Sequence, residues 1–283
     1  MGGKIQFTFL RRMTSKTAGN EARGEDAGRR PYGPVLDELL HMMEARDPTA
    51  SKLPFLTLTY AQALDGSIAA GKGGAPLKLS SDLSMTMTHE LRAVHDGILV
   101  GIGTVLSDNP SLTTRLCEGP SPRPIILDSQ LRCPPTAKFI QLRKGDPKQA
   151  PIVVYNSAKR ADLDDGLGTL QERKKALEDA GVIVVETSHL NNDSGEVFAL
   201  LKSDFGLRHI MIEGGAQVIR WFILSASHFV DAVLVTVAPL FVGGLVPTHP
   251  WISEQPHKRL KVRQTALVQG DVVLVGKFDV HET

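Results

Sequence analysis

Residues 97–115 of this chain read GILVGIGTVLSDNPSLTTR, and the stretch predicts a strand, a glycine-spaced turn and a reactive rim. The apolar run at its start is typical of a buried strand. Gly101 and Gly103 follow where this strand ends, and glycine lets a backbone approach a ligand closely. The stretch closes with Asp108 and Arg115, a carboxylate and a guanidinium on either side of an Asn-Pro turn. A turn of this kind can hold reactive side chains on a fixed backbone.

Short β-rich runs alternate with helical segments on both sides of this stretch. The predicted strands are residues 55–62, 95–100, 124–127, 152–155, 182–185 and 209–212. The predicted helices are residues 34–46, 81–93, 171–180 and 196–205, and the last two are followed by glycine. The alternation predicts an α/β fold with a mostly parallel central sheet and helices on both faces. Ligands of such sheets bind beyond the carboxyl ends of the strands.

The last quarter of the chain breaks the alternation. Residues 231–239 and 271–278 are strand-like, and no helical segment separates them. They predict an antiparallel edge or hairpin at the C-terminal end of the sheet.

Composition and charge describe a globular chain. Its 283 residues, 42% of them hydrophobic, are enough for one large domain with a packed core. The 32 basic and 31 acidic residues leave a formal charge of +1, which provides no field to attract nucleic acid or an anionic membrane. A basic cluster near the C-terminus is interpreted as solvated surface, because no aromatic residues are interleaved with it. It consists of Lys258, Arg259, Lys261 and Arg263.

The N-terminal region and the cysteines bear on location. Residues 1–33 are polar and glycine-rich, which predicts a flexible tail before a single domain of residues 34–283. The basic start of the tail leaves an organelle transit peptide as an alternative, although no clear amphipathic helix follows. No apolar run approaches the length of a membrane span, so we expect a cytoplasmic protein. Cys117 and Cys133 are too few for a disulfide framework, and no pair of histidines or cysteines has metal-ligand spacing, so no metal is expected.

A second strand ends in an acid and two glycines. Residues 212–218 read IEGGAQV, and an apolar helical run follows. Unpaired backbone N–H groups at a helix start attract phosphate, while Glu213 can address a hydroxyl or an amine. Close packing of a strand against a helix explains either glycine turn equally well when each is taken alone. Two such turns in one sheet favour a nucleotide site.

Together, residues 58–66, 89–115, 212–218 and 238–244 resemble the riboflavin-pathway reductase family, which has a dihydrofolate-reductase-like fold. The pattern Gly-Thr-Val-Leu-x-Asp-Asn-Pro-x-Leu, which begins at Gly103, is the most specific part of the resemblance. Bacterial members are often fused to a zinc deaminase, whose His-x-Glu and Pro-Cys-x-x-Cys ligand motifs are missing from this sequence. The resemblance therefore implies a single-function reductase similar to the fungal and archaeal enzymes.

The resemblance implies a reaction as well as a fold. Such enzymes reduce 2,5-diamino-6-ribosylamino-4(3H)-pyrimidinone 5′-phosphate to its ribitylamino product, with NADPH as the cofactor. Hydride passes to C1′ of the ribosyl group, taken as the imine of its ring-opened form, and the cofactor supplies this chemistry. Asp108 is expected to stabilise the protonated imine, with Glu213 as a helper. The resemblance also implies a homodimer, for which residues 233–242 form either a sheet-edge interface or an ordinary core strand.

The same resemblance implies which residues line the site. Cofactor contacts are expected from Ala61, Gln62, Gly101, Gly103, Thr104, Asp108, Glu213, Gly214, Gly215, Ala216 and Gln217. Ser129 and Arg132 are suited to the adenosine 2′-phosphate that distinguishes NADPH from NADH, with Asn156, Ser157 and Lys159 as secondary contacts. Substrate contacts are expected from Ser81, Arg92, Leu112 and Arg115, of which the two arginines are suited to the phosphate.

Two other functions stay open at this point. The first is a pterin or folate reductase of the same fold, which the arginine pair disfavours because such an enzyme would hold the pterin ring with an acid. The second is a nucleotide-binding regulatory module without catalysis. The presence of Asp108, Arg115 and Glu213, all suited to chemistry, counts against that module.

Overall fold

The computed structural model describes residues 30–47, 50–71, 77–156, 166, 168–187, 195–247 and 258–279. Within these residues a central sheet has nine strands. They are β1 (Phe55–Ala63), β2 (Gly97–Gly101), β3 (Arg123–Leu127), β4 (Ile152–Asn156), β5 (Ile183–Thr187), β6 (His209–Gly214), β7 (Ala232–Ala238), β8 (Leu260–Val268) and β9 (Asp271–Phe278). The helices are α1 (Gly33–Ala45), α2 (Asp82–Val94), α3 (Ile102–Asp108), α4 (Lys138–Gln141), α5 (Leu170–Asp179), α6 (Gly195–Ser203) and α7 (Ala216–Leu224). Short 3-10 turns span Pro147–Gln149 and Ser227–Phe229.

The order of the strands is β5-β4-β3-β2-β6-β1-β7-β9-β8. Strands β1 to β7 run parallel to their neighbours among themselves, whereas β9 is antiparallel to both β7 and β8. The predicted α/β fold with a mostly parallel sheet and a C-terminal antiparallel hairpin is confirmed. Strand β8 was not among the predicted strands. Its side chains are almost all exposed or half-buried at the sheet edge, and the alternation that begins at Leu260 is broken by a bulge after Val262 and by the exposed Leu267.

Helices cover both faces of the sheet, as predicted. Successive side chains of a strand point to opposite faces of the sheet. On one face, α6 and α7 pack against a cluster that includes Leu58 and Ile212. On the other face, α1 and α2 pack against a cluster that includes Met211. The same face carries a third cluster, in which α3 and α4 pack against strands β2 to β4 and Leu112. Glu213 follows Met211 by two positions and therefore points toward the region between these last two clusters.

The folded part begins before the predicted boundary at residue 34. Tyr32 is 2% exposed, and its hydroxyl donates to Oε1 of Glu90 at 3.3 Å. Arg30 forms an ion pair with the same carboxylate. Tyr32 packs into the core with α1, which gives this segment the apolar contacts that a tail lacks. Residues 1–29 lie outside the described residues, and for them the flexible tail stays a prediction.

Strand β7 is an interior strand. It is hydrogen bonded to β1 on one side and to β9 on the other. Of the two interpretations of residues 233–242, the ordinary core strand is therefore the one that the structure supports. In the described ranges, no helix is long and apolar enough to cross a membrane.

Strands β1 and β2 are consecutive in the chain but not in the sheet, because β6 lies between them. The chain moves outward through β2 to β5 and then returns to insert β6 at the centre. A reversal of this kind leaves a crevice at the carboxyl ends of the central strands, where ligands of open α/β sheets bind. The loops after β1, β2 and β6 meet at this crevice.

Candidate active site

The two glycine turns predicted from the sequence are in contact. Strands β2 and β6 are neighbours, so the turns that follow them leave the sheet side by side. The hydroxyl of Thr104 on α3 donates to the carbonyl of Gly214 at 3.1 Å. Gly214 and Gly215 have φ angles of 80° and 100°, a region that disfavours any side chain. A Cβ atom at Gly215 would lie 2.6 Å from the Thr104 hydroxyl, so both backbone conformation and contact require glycine there.

The remaining residues of these turns lie around that contact. Gly101 caps α3, and a Cβ atom on it would lie 2.8 Å from Cγ2 of Val218 on α7. Gly103 is exposed in the first turn of α3. Ala216 and Gln217 open α7, where Ala216 is half-buried and Gln217 is exposed. The start of α7 therefore presents backbone N–H groups and a polar side chain to the crevice.

Arg92 and Glu213 form a bidentate ion pair. Nε and one terminal nitrogen of Arg92 donate to the two carboxylate oxygens, each at 2.6 Å. The side chains are 12% and 16% exposed, so water screens the pair little. Burial acts to lower the pKa of Arg92, but the charge and hydrogen bonds of Glu213 outweigh it and raise that pKa. The other terminal nitrogen donates to the carbonyl of Thr113 at 3.1 Å.

Arg115 lies next to this pair and is exposed. One terminal nitrogen donates to the hydroxyl of Ser111 at 2.7 Å. Its backbone N–H donates to Nδ1 of His89, on α2, at 2.9 Å. Arg115 thus has a fixed base and a charged end that is open to solvent.

Arg143 supports the loop that precedes Arg115. It is 7% exposed and donates to the carbonyls of Ser111 and Leu112, at 3.1 and 2.6 Å. The carbonyls of Phe139 and Pro122 accept from the same guanidinium. Burial lowers its pKa to about 10, so it stays charged at neutral pH. Leu112 is 2% exposed with a φ of 51°, an unusual conformation for a bulky residue that this support helps to hold.

His89 is fully buried beside the two arginines. Burial and the positive charges of Arg92 and Arg115 together lower its pKa to about 4, against a smaller opposing effect of the charge of Glu213. Because Nδ1 accepts a hydrogen bond, the proton of the neutral ring lies on Nε2. That atom is buried and has no hydrogen-bond partner among the described residues.

Asp108 lies apart from the buried pair. It is exposed at the C-terminal end of α3, roughly 10 Å along the helix axis from its start. Asn109 caps this end with a φ of 40°, and its side-chain oxygen accepts from the backbone N–H of Lys138 at 2.8 Å. Asp108 is therefore on the rim, whereas Glu213 lies deeper in the crevice. The role of Asp108 at the reacting carbon stays a prediction.

Ser81 is not close to the arginines. It is the N-cap of α2, and eleven positions separate it from Arg92, roughly 16 Å along the helix. Its hydroxyl donates to the carbonyl of Val268 at 3.2 Å, and its backbone N–H donates to Asp271 at 2.8 Å. The residue ties α2 to the C-terminal hairpin, and substrate binding by Ser81 stays a prediction.

The other residues predicted to bind the cofactor lie at or just after the ends of β1, β3 and β4. Ser129 and Arg132 are half-buried in the turn after β3, two strands and so roughly 10 Å from β6. The Nε atom of Arg132 is buried without a protein partner in the part of the chain that the structure describes. Ala61 and Gln62 are half-buried near the end of β1. Asn156 ends β4 and is buried, while Ser157 and Lys159 lie outside the described residues.

Residues 54–274 match the family described as the RibD C-terminal domain. The chain belongs to this family of oxidoreductases of riboflavin biosynthesis, as the sequence resemblance implied.

Several relatives carry the name 2,5-diamino-6-ribosylamino-4(3H)-pyrimidinone 5′-phosphate reductase. The one from Saccharomyces cerevisiae is 34% identical over 225 residues, which cover 74% of this chain and 84% of the relative. The one from Debaryomyces hansenii is 38% identical over 226 residues, covering 74% and 85%. The one from Archaeoglobus fulgidus is 29% identical over 203 residues, covering 68% and 83%.

Solved structures resemble this chain over most of its length. The riboflavin biosynthesis reductase Rib7 of S. cerevisiae has a TM-score of 0.59 at 31% identity, covering 85% of this chain and 99% of that one. RibD of Acinetobacter baumannii has a TM-score of 0.64 at 22% identity, covering 81% of this chain and 59% of that one. The second likeness concerns the fold alone.

Two residues of the site were missed from the sequence. His89 lies three positions before Arg92, so both occupy one face of α2, and this spacing was the available signal. The sequence around Arg143 does not indicate a buried residue, because a polar stretch follows it. Its burial depends on tertiary packing. In the described ranges, no group of three or more His, Cys, Asp or Glu side chains is placed to hold a metal ion.

Proposed function

We propose that this chain reduces the ribosyl group of 2,5-diamino-6-ribosylamino-4(3H)-pyrimidinone 5′-phosphate with NADPH. One observation carries the proposal. An exposed arginine, Arg115, is linked through His89 to the helix that carries the buried Arg92–Glu213 pair, and two glycine turns touch at the carboxyl ends of the central strands. The relatives that carry the name of this reductase support the choice of substrate.

Arg115 is the main ligand proposed for the substrate phosphate. Its guanidinium is exposed and can bind phosphate through two parallel N–H groups. Arg92 already uses three of its five N–H groups, two for Glu213 and one for Thr113. We propose that Arg92 adds positive charge near the substrate phosphate and that it orients Glu213. Leu112 packs in the core beneath the loop and would support the loop from there, while its predicted contact with the substrate stays a prediction.

The NADPH diphosphate is proposed to lie at the start of α7. Two glycines with positive φ leave the backbone N–H groups there accessible, and the helix dipole favours an anion. The residues proposed to line the diphosphate and ribose are Gly101, Gly103, Thr104, Asp108, Gly214, Gly215, Ala216 and Gln217. Ala61 and Gln62 are proposed to orient the nicotinamide. Ser129 and Arg132 are proposed for the 2′-phosphate, in line with the buried Nε atom of Arg132, which has no hydrogen-bond partner among the residues that the structure describes.

When bound at these residues, NADPH would supply the hydride that converts a protonated imine at C1′ to a secondary amine, and NADP⁺ would remain. The residues of this chain bind both molecules, bring the reacting carbons together and stabilise the positive charge of the imine. Glu213 is the buried carboxylate available for that charge, with its orientation set by Arg92. Asp108 is proposed to act from the rim.

We also propose that the enzyme is a cytoplasmic homodimer. Leu267 on β8 and Val272 on β9 are cross-strand neighbours, and they are 68% and 41% exposed. Apolar side chains that are exposed together on a sheet favour a protein interface. Sedimentation of the wild type and of Leu267→Glu tests this assembly. A wild type that sediments as a monomer at micromolar concentration would exclude it.

The test of the function is the loss of NADPH absorbance when the purified chain is mixed with enzymatically generated ribosylaminopyrimidinone phosphate. NADH and dihydrofolate serve as controls, the second because a pterin reductase would consume it. In Arg115→Ala, we expect the substrate KM to rise by about tenfold or more, since a charge-assisted hydrogen bond contributes about 1.5 to 3 kcal/mol. Saturable NADPH binding without oxidation would refute the proposed reaction and favour a silent binding module.

A further inference from the structure

We propose that His89 is a positioning residue for Arg115: as a neutral acceptor it holds the backbone from which the phosphate-binding guanidinium extends. The inference rests on the proposed function for the identity of the bound phosphate. It assigns His89 no contact with substrate or cofactor.

The geometry begins with the loop of residues 111–115. This loop has no regular secondary structure, so side chains from other elements must satisfy its backbone groups. Arg143 donates to two of its carbonyls, and Arg92 donates to a third. The N–H of Thr114 donates to the hydroxyl of Ser121 at 3.0 Å. At the end of the loop, the N–H of Arg115 donates to Nδ1 of His89 at 2.9 Å.

Helix α2 therefore holds the loop at two points. His89 and Arg92 are three positions apart, so they lie on one face of the helix, one turn from each other. Arg92 binds the carbonyl of Thr113, and His89 binds the N–H of Arg115 two residues further on. The same turn of α2 also orients Glu213 through Arg92. One rigid element thus sets the spacing between the exposed arginine and the buried acid.

The chemistry of the position requires a neutral acceptor. Charged groups of three elements act on the imidazole: Arg92 on α2, Arg115 on the loop and Glu213 on β6. Protonation would remove the acceptor and place a third positive charge beside two guanidinium groups. The buried ring has a pKa of about 4, so it keeps Nδ1 unprotonated at neutral pH. A carboxylate here would accept the same bond but would compete with phosphate for the arginines.

Loss of this acceptor should act on binding more than on the chemical step. Without it, the Arg115 N–H lacks its partner and the loop end is freer to move, so phosphate binding must restore the order. The hydride donor and acceptor are held elsewhere, at the glycine turns and Glu213. The inference therefore predicts a change in KM for the substrate with little change in kcat.

The experiment compares His89→Leu with His89→Asn. Leucine fills the space without an acceptor, whereas the side-chain oxygen of asparagine can stand where Nδ1 stood. In His89→Leu we expect the substrate KM, and the dissociation constant of ribose 5-phosphate measured by calorimetry, to rise about tenfold. We expect kcat within about twofold of wild type, unchanged NADPH binding and substantial recovery in His89→Asn. His41→Leu, which changes an exposed histidine of α1, is the matched control.

A spectroscopic measurement on the wild type keeps the inference testable if His89→Leu does not fold. The imidazole nitrogen NMR signals of His89 should show Nδ1 unprotonated and Nε2 protonated, without titration between about pH 5.5 and 8. A ring that titrates in that range, or that carries its proton on Nδ1, would overturn the proposal. The proposal would also be overturned if a folded His89→Leu kept the wild-type KM. The same holds if the rise in KM were matched by an equal fall in kcat and in NADPH affinity.

The design separates the inference from the proposed function. If the wild type binds ribose 5-phosphate but does not reduce the pyrimidinone substrate, the proposed reaction fails while the binding and NMR measurements still test His89. If the wild type reduces the substrate and His89→Leu does so with the same KM, only the role of His89 fails.

Discussion

Removal of either member of the Arg92–Glu213 pair should destabilise the fold much more than removal of an ordinary surface pair. In Glu213→Gln, one of the two 2.6 Å bonds loses its acceptor, and the guanidinium, 12% exposed, loses its counter-charge. In Arg92→Met, the carboxylate is left unpaired and the carbonyl of Thr113 loses its donor. Breaking a buried ion pair from one side costs about 3 to 5 kcal/mol, and we expect about 3 kcal/mol for each change.

The double variant distinguishes this pairing from two independent contributions. The second substitution removes the group that the first left unpaired. The double variant should therefore lose about 3 kcal/mol of unfolding free energy rather than about 6, which corresponds to a coupling energy of about 3 kcal/mol. Urea unfolding followed by circular dichroism and by tryptophan fluorescence measures these values, provided that the two signals coincide.

The control is Asp179→Asn, which breaks an exposed ion pair with Lys175 and should leave the unfolding midpoint unchanged. Additive losses in the Arg92 and Glu213 variants would refute the argument, because they would show that the two side chains contribute to stability without each other.

Three further predictions concern His95, Arg143 and Gly215. His95 is buried with a pKa of about 4, so the unfolded chain takes up the proton first as the pH falls, and this residue should lower the unfolding free energy by about 3 kcal/mol between about pH 6.5 and pH 4. His89, whose pKa is also about 4, adds to the fall over the same range. Urea titrations measure the slope, which His95→Gln should reduce without abolishing. Arg143→Lys should raise the substrate KM and lower the unfolding free energy by about 2 to 3 kcal/mol, because a lysine cannot reach four carbonyls at once. A variant with the kinetics and the unfolding free energy of the wild type would contradict this. Gly215→Ala should weaken NADPH binding, because alanine at a φ of 100° would clash with the Thr104 hydroxyl. Calorimetry measures the affinity, and an unchanged value would exclude this turn as the diphosphate site.

The parts of the fold that local patterns encode were predictable from the sequence. Residues 97–101 are an apolar run that ends in glycine, and they form β2 and its turn as expected. The turn at Gly214 and Gly215 was equally visible, because only glycine tolerates the backbone conformations found there. Strand β8 was not visible, since an edge strand with exposed side chains needs hydrogen bonds to β9 rather than apolar alternation.

The candidate site was predictable as a set of residues but not as a set of contacts. Arg92 and Glu213 were assigned to different ligands, yet they bind each other across 121 positions of sequence. That pairing depends on the insertion of β6 beside β2, which no local signal reports. Ser81 shows another limit of local patterns, because its position before a helix is accounted for by capping, while its predicted contact with the substrate stays a prediction.

The central position of β6 has a consequence for how the chain folds as it is synthesised. Strand β1 is made early, but its two neighbours begin only at His209 and Ala232. Strands β2 to β5 can pair with one another before then, while β1, with Leu56 and Leu58 buried in the finished protein, has to wait. An emerging chain that stops short of residue 209 would therefore expose an unpaired apolar strand, the kind of edge that promotes aggregation. Because β6 also carries Glu213 and the glycine turn that follows it, such a shortened, ribosome-bound intermediate would lack the active site as well.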